Sequence, residues 1–322
     1  MHELYPLQFE PILKRYVWGG RKLGTLLGKP IGEGEDYAES WEVVDRDAEK
    51  SVVRNGPLRG KTLREVIAAS PADFYGAHAP VGAFPLLFKF LDAQRNLSVQ
   101  VHPNDEQGRR LPKPDLGKTE AWVVMQAEEG AKIYAGLKRG FDRHAFEREL
   151  HRGTVELCLN TIEPQVGDCI FIPAGTVHAL GAGLVIAEIQ QNSDTTFRVF
   201  DWNRVGADGK SRPLHIEESL ATIDFERGPA APVTPAATAR SFAQRLVTCD
   251  KFVLERLTLR SPATLATDDK MHLIAVLSGS IAFDGYPEEP LTKGAVCILP
   301  ARPGWYEATP EGEAVLLDIW LP

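Results

Sequence analysis

A chain of 322 residues, 43% hydrophobic and 25% charged, has ordinary globular composition and is long enough for two domains. Its formal net charge of −8, with no basic run to offset it, argues against nucleic acid or an acidic membrane surface as a general partner. The most apolar stretch, residues 84–91, is far shorter than the roughly 20 residues that span a bilayer, and the start Met1-His2-Glu3-Leu4-Tyr5-Pro6 lacks the basic and apolar regions of a secretory signal.

Short β-rich runs punctuated by Gly and Pro dominate, and helices are few. Thr62-Leu63-Arg64-Glu65 is a capping box, followed by Val66 and Ile67 at helical spacing, so a helix is expected over 62–70. A strand over 86–91 follows, in which Lys89 lies between Phe88 and Phe90 and therefore on the opposite face from both. In Asn96-Leu97-Ser98-Val99-Gln100-Val101-His102 the polar residues fall at every second position. A strand over 98–102 puts them on one face and Leu97, Val99 and Val101 on the other. Glu120 opens the apolar run 121–125, near the start of the next strand, with Lys118 on its side two residues earlier. A helix is expected over 142–151. From Gly167 to His178 the chain reads as a turn glycine, a buried strand over 169–172, a Pro-x-Gly turn and a histidine at the mouth of a barrel. A strand over 184–190, an alternating stretch around Arg198 and a helix over 216–223 complete the first part.

Between Gly228 and Ala239 three prolines and no large apolar residue except Val233 mark a linker, 228–240, between domains of 1–227 and 241–322. The second part repeats the logic of the first. Residues 273–277 read as a strand, Ser278-Gly279-Ser280 as a turn, and Gly294 to Pro300 matches Gly167 to Pro173 in spacing. Trp305 then stands where His178 would, and an indole N–H cannot hold a cation. The expected fold is mainly β, two barrels with a few short helices, the second without metal ligands.

Gln100, His102, Glu120 and His178 together offer two imidazoles, one carboxylate and one amide, a set able to hold a divalent cation inside a barrel. Such a site keeps about one net positive charge and remains an electrophile, whereas thiolate cages neutralise their zinc. Cys158, Cys169, Cys249 and Cys297 are widely separated and form no C-x-x-C pair, which fits a reducing cytoplasm. A lone histidine on a strand is more often a hydrogen-bonded structural or surface residue than a ligand, and only their company reverses this for His102 and His178; His2, His78, His144, His151, His215 and His272 are read as structural. Arg198 reads as a pocket cation or as a salt bridge to Asp194 or Asp201.

The pattern Gly, five residues, Pro-x-Gly, two residues, His resembles the second motif of the cupins, jelly-roll barrels in which that histidine binds the metal. A wider likeness runs through Glu39-Ser40-Trp41-Glu42, Phe88-Lys89-Phe90-Leu91-Asp92-Ala93, Leu97-Ser98-Val99-Gln100-Val101-His102-Pro103-Asn104-Asp105, Gly117-Lys118-Thr119-Glu120-Ala121-Trp122 and the run from Glu188 to Asp201. In these segments the chain resembles the type I mannose-6-phosphate isomerases, in their compact bacterial form. The resemblance implies one zinc per chain on Gln100, His102, Glu120 and His178 and catalysis by Arg198; Lys118, which it places among the substrate or phosphate contacts, is read as catalytic too. It implies substrate contacts from Lys89 and Ser98, to which Asp194 is added. Asn104 stands where aspartate is also common, outside the ligand set.

The implied reaction interconverts mannose 6-phosphate and fructose 6-phosphate through an enediol, a task suited to an open-coordinate zinc and a permanent cation. Lys118, Glu188, Asp194 or water on the metal are the open choices for the base. Three other readings stand beside it: an iron(II) cupin dioxygenase, which has no need of Lys89, Lys118 and Arg198, a sugar-phosphate-binding cupin without turnover, and an isomerase of a different phosphosugar. A monomer or small homo-oligomer is expected, with a phosphosugar as its partner.

Overall fold

The structure, a computed structural model, describes residues 3–79, 82–205, 209–286 and 289–322; His2 lies outside them. Antiparallel strands carry the fold, and the longest helix described, Arg143–Arg152, has 10 residues. The described strands form four separate sheets, none closed into a barrel. Turns such as Pro173-Ala174-Gly175 carry the chain between sheets, where proline contributes no ladder N–H.

The order of the first sheet is Ile12–Gly20, Tyr37–Val43, Leu86–Ala93, Leu184–Gln191, Glu120–Ala127 and Cys169–Ile172. Facing it is a sheet ordered Phe197–Phe200, Val99–Val101, His178–Leu180, Ile133–Leu137 and Leu159–Ile162. Between them lies a core containing Trp18, Leu91, Trp122, Ile133, Ile172 and Leu180. The other face of the six-stranded sheet, with Phe88, Phe90, Val123 and Ile189, packs through the largest core on Leu254, Leu273, Ile298 and Ile319 of a seven-stranded sheet. A four-stranded sheet covers the far side of that one over Leu257, Val276, Leu299 and Leu316. The result is a stack of four sheets, which explains why Leu86–Ala93 and Leu184–Gln191 are buried at every position: they have core on both faces.

Local signals explain the predicted elements. Thr62 accepts from Glu65 N while the Glu65 carboxylate takes Thr62 N, and the helix runs Leu63–Ala69. Asp142 caps Arg143–Arg152, and the third expected helix is Ile216–Thr222. Asn104 and Gln107 form a second capping box ahead of Asp105–Arg109, a role that aspartate fills equally well.

Leu97 departs from the expected alternation. The strand begins only at Val99, and Leu97, held through its N–H to Leu180 O, turns into the same interior as Ser98 and Gln100. Residues 228–240 are mostly exposed and hydrogen-bonded along their course. Ala230 N donates to Ala135 O and Val233 N to Cys169 O, and Ala236–Ala237 pairs with Ala243–Thr248. The strand Leu7–Gln8 joins the seven-stranded sheet, pairing with Ile298 and Cys297.

Candidate active site

The strand register brings the predicted residues together. Gln100 pairs directly with His178 on one side and with Arg198 on the other, so three functional side chains line up across the five-stranded sheet. From the facing sheet come Glu120, beside Gln190 and Ile172, and Lys89 paired with Glu188. His102 follows the end of Val99–Val101, and its Nδ1 is fixed by Thr195 O at 3.0 Å.

Ligand atoms of His102, Glu120 and His178 all lie within 4.8 Å of one another, and the three side chains are 1% exposed. His102 Nε2 is 3.6 Å from Glu120 Oε2, and His178 Nε2 is 3.3 Å from Glu120 Oε1. Both imidazoles commit Nδ1 to a backbone carbonyl, Thr195 O and Thr176 O, which leaves each Nε2 lone pair facing inward. Gln100 lies 3.3 Å from His178 Nε2 through its amide nitrogen, and half a turn of the amide presents its oxygen at the same place.

Three of these buried atoms, His102 Nε2 and both Glu120 oxygens, have no hydrogen-bond partner. Polar atoms left open this deep are costly unless something binds them. Burial, with Lys118 close by, pushes His102 well below the usual histidine range, and burial takes His178 down to about 4. Two neutral nitrogens, one carboxylate and one amide therefore fit a divalent cation.

Beside this cluster opens a pocket of about 270 Å³. Its lining includes Lys89, Ser98, Lys118, Glu188, Asp194 and Arg198, along with Gln100 and Glu120. Lys118 Nζ sits 3.4 Å from Glu120 Oε2, on the side predicted. Lys89 is buried between Glu188 and Glu39, at 3.4 and 3.5 Å. Burial opposes its charge, but Glu188 and Glu39 outweigh it and raise the ammonium above its ordinary value. Burial pushes Glu188 up to about 7 against the pull of Lys89, and its Oε1 has no hydrogen-bond partner. Asp194 stands at the exposed rim.

Among the described residues Arg198 forms no ion pair, and neither Asp194 nor Asp201 bridges to it. Asp201 is engaged by Arg204 and Arg212 at 2.5 and 2.6 Å. Arg198 Nε instead donates to Ser98 Oγ at 3.3 Å and Nη1 to Pro213 O at 2.9 Å. Burial and the nearby Arg212 lower its pKa. The Arg198 N–H donates to His215 Nδ1, and His215 N returns a bond to Arg198 O, so this histidine holds the arginine's strand.

Sequence reading passed over Glu39, which salt-bridges Lys89, and Tyr16 and Trp18, whose rings stack at 5.5 Å on the pocket wall. It read His272 as a structural residue but did not foresee its partners. In the second half His272 is buried between Asp318 and Asp268, at 2.6 and 2.8 Å.

Fold and site define a stacked β-sheet protein with a metal-binding cluster at the floor of a cation-lined pocket. Residues 6–123 match the family model for the type I phosphomannose isomerase catalytic domain. The probable mannose-6-phosphate isomerase GmuF of Bacillus subtilis is 36% identical over 96% of each chain, and the mannose-6-phosphate isomerase ManA of the same organism 33% identical over 98% of this chain and 99% of that one. A crystal structure of the mannose 6-phosphate isomerase from Bacillus subtilis superposes with a TM-score of 0.88 at 29% identity, covering 98% of this chain and 99% of the other. The chain belongs to the type I mannose-6-phosphate isomerase family.

Proposed function

We propose that this chain interconverts mannose 6-phosphate and fructose 6-phosphate, using one zinc ion held by Gln100, His102, Glu120 and His178. The observation that carries the reading is the open set of ligand atoms on His102, Glu120 and His178, set beside an Arg198 that has no carboxylate partner among the described residues. Family membership supports the same substrate and sets the oxygenase reading aside.

The reaction moves a proton between C1 and C2 while the carbonyl shifts, so negative charge develops on two adjacent oxygens. When bound, the zinc supplies Lewis-acid stabilisation of that charge. Arg198 is the permanent cation beside it, aimed by Ser98, Pro213 and His215. Glu188 takes the proton from one carbon and returns it to the other: its carboxyl is buried, has an oxygen without a hydrogen bond, 3.4 Å from the Lys89 ammonium, and is pushed to about 7, a value suited to exchange near neutral pH. Lys89 steadies that carboxylate and contacts the sugar together with Ser98. Lys118 donates toward the reacting oxygens, and Asp194 accepts a substrate hydroxyl at the rim.

We further read each half as a cupin-type jelly roll, with residues 1–227 as the catalytic domain, 228–240 as the connection and 241–322 as a domain without metal ligands. Each half has a pair of facing sheets with its own interior, which supports that division. Free cysteines, with no helix among the described residues long and apolar enough to cross a membrane, accord with a cytoplasmic enzyme. One chain supplies every ligand, so a monomer suffices and a small homo-oligomer would leave the site intact.

A coupled assay for fructose 6-phosphate, run before and after chelation and again after zinc is restored, tests the reading. Turnover should vanish and return. Activity that survives complete metal removal would overturn the metal mechanism, and absence of turnover in the zinc-loaded protein would leave the sugar-phosphate-binding reading standing.

A further inference from the structure

The largest cavity described is not the isomerase pocket but a cleft of about 760 Å³ where the two halves meet. Four cations line it, Lys29, Arg54 and Arg59 from the first half and Lys293 from the second, and of these Lys29 is paired with Glu42. Among the described residues none of the other three forms an ion pair, whereas arginines elsewhere, such as Arg110, Arg227, Arg260 and Arg302, do. Arg54 is held in place by Gln8 Oε1, at 2.6 Å from Nη2 and 3.2 Å from Nε, an anchor that leaves its charge uncompensated.

The cleft's acids do not cancel this excess. Glu42 is engaged by Lys29 Nζ and Ser40 Oγ, both at 2.6 Å, and Lys29 also donates to Gly294 O across the boundary between halves at 2.7 Å. Burial lowers the Lys29 pKa, and the neighbouring positive charge of Arg54 pushes it the same way. With Lys29 and Glu42 offsetting each other, the described lining sets Arg54, Arg59 and Lys293 against Glu289 and leaves two net positive charges among the described residues. A concave, cation-lined site raises the local concentration of anions, and guanidinium forks match phosphate oxygens in geometry.

We propose that this cleft binds a small, multiply phosphorylated anion at a site separate from the isomerase pocket. Two net positive charges favour a ligand of charge −2 or greater over a monoanion such as chloride. The position between the halves lets one ligand bridge Arg54 and Arg59 on one side to Lys293 on the other. The inference does not rest on the isomerase reading, because no residue of the cleft belongs to that site.

Calorimetric titration of the zinc-loaded full chain with 2,3-bisphosphoglycerate, at constant ionic strength and with mannose 6-phosphate present at saturation, tests it. Saturable binding to one site per chain is expected. Arg59→Glu combined with Lys293→Glu should weaken it more than about tenfold, since charge-assisted contacts become repulsive. The milder pair Arg59→Gln and Lys293→Gln should give a smaller loss in the same direction. Isomerase turnover measured without the probe should be unchanged in both variants, which also reports that they are folded. Failure to saturate, displacement by mannose 6-phosphate, or affinity unaffected by either pair of substitutions would each overturn the proposal.

Discussion

In the first half Glu120 pairs with Ile172, and in the second His272 pairs with Leu299. Counted from the turn glycines Gly167 and Gly294, Ile172 and Leu299 hold the same place, so His272 stands where Glu120 stands. Gln190 pairs with Glu120 and Trp320 with His272, so Asp318 answers to Glu188 and, one strand over, Glu255 to Lys89. Both interiors thus carry charge at matching positions, but they resolve it differently. His272 is clamped by Asp318 and Asp268, Arg240 bridges Glu255 and Asp318, and Arg245 takes the other oxygen of Glu255 at 2.8 Å. The first interior leaves His102 and Glu120 open. A buried charge cluster becomes a site when it lacks internal partners and a structural clamp when it has them.

The contrast breaks most severely if an open ligand proves dispensable. His102→Ala should cut turnover by about a thousandfold or more and bring metal content down with it, as read by elemental analysis. Arg198→Ala should cost about 10²–10³ in kcat while the metal stays bound, the scale expected when one preorganised electrostatic contact is lost; unchanged kcat would refute its role. Glu188→Gln should lower kcat about a hundredfold. In the unaltered protein kcat/KM should rise with pH through about 7 as that carboxyl loses its proton, and the variant should lack this limb.

His272→Ala should leave kcat within about twofold yet cost roughly 3 kcal/mol of stability, because it strands buried Asp318 beside Arg240 without its imidazolium partner. Its aspartate neighbours, against the cost of burial, push His272 up to about 9. Its contribution is therefore complete below the unfolded value near 6.5 and fades as pH climbs through 9. Thermal melts of both proteins at pH 6.5 and pH 10 should show the gap closing at the higher pH. Ser98→Ala should have the smallest effect, a rise of a few fold in KM from losing one 3.3 Å contact to Arg198.

What was legible in the sequence followed the range of its signals. Strand periodicity grouped Ser98 with Gln100, and the Gly-to-His spacing located His178, because both depend on neighbours a few residues apart. The same periodicity misassigned Leu97, which lies just ahead of its strand. One-turn helices at Lys22–Thr25 and Pro71–Tyr75 escaped notice because tertiary packing, not internal pattern, holds segments so short. His272 was read as unremarkable because Asp318 lies far along the chain, and Arg198 kept two readings because Ser98 and His215, which decide between them, come from separate segments. The asparagine and glutamine of the second capping box were within reach of the rule that found the first.

The pairing of Leu7 with Ile298 has a consequence for how the molecule is made. The strand Leu7–Gln8 takes its place in a sheet whose remaining members, among them Val296–Leu299 and Ala314–Trp320, all come from the second half of the chain. Closing so long a loop is slow beside the local bonds that Gln8 and Glu10 make to residues 52–55, so this segment is held on one side early and the seven-stranded sheet closes over it late in folding.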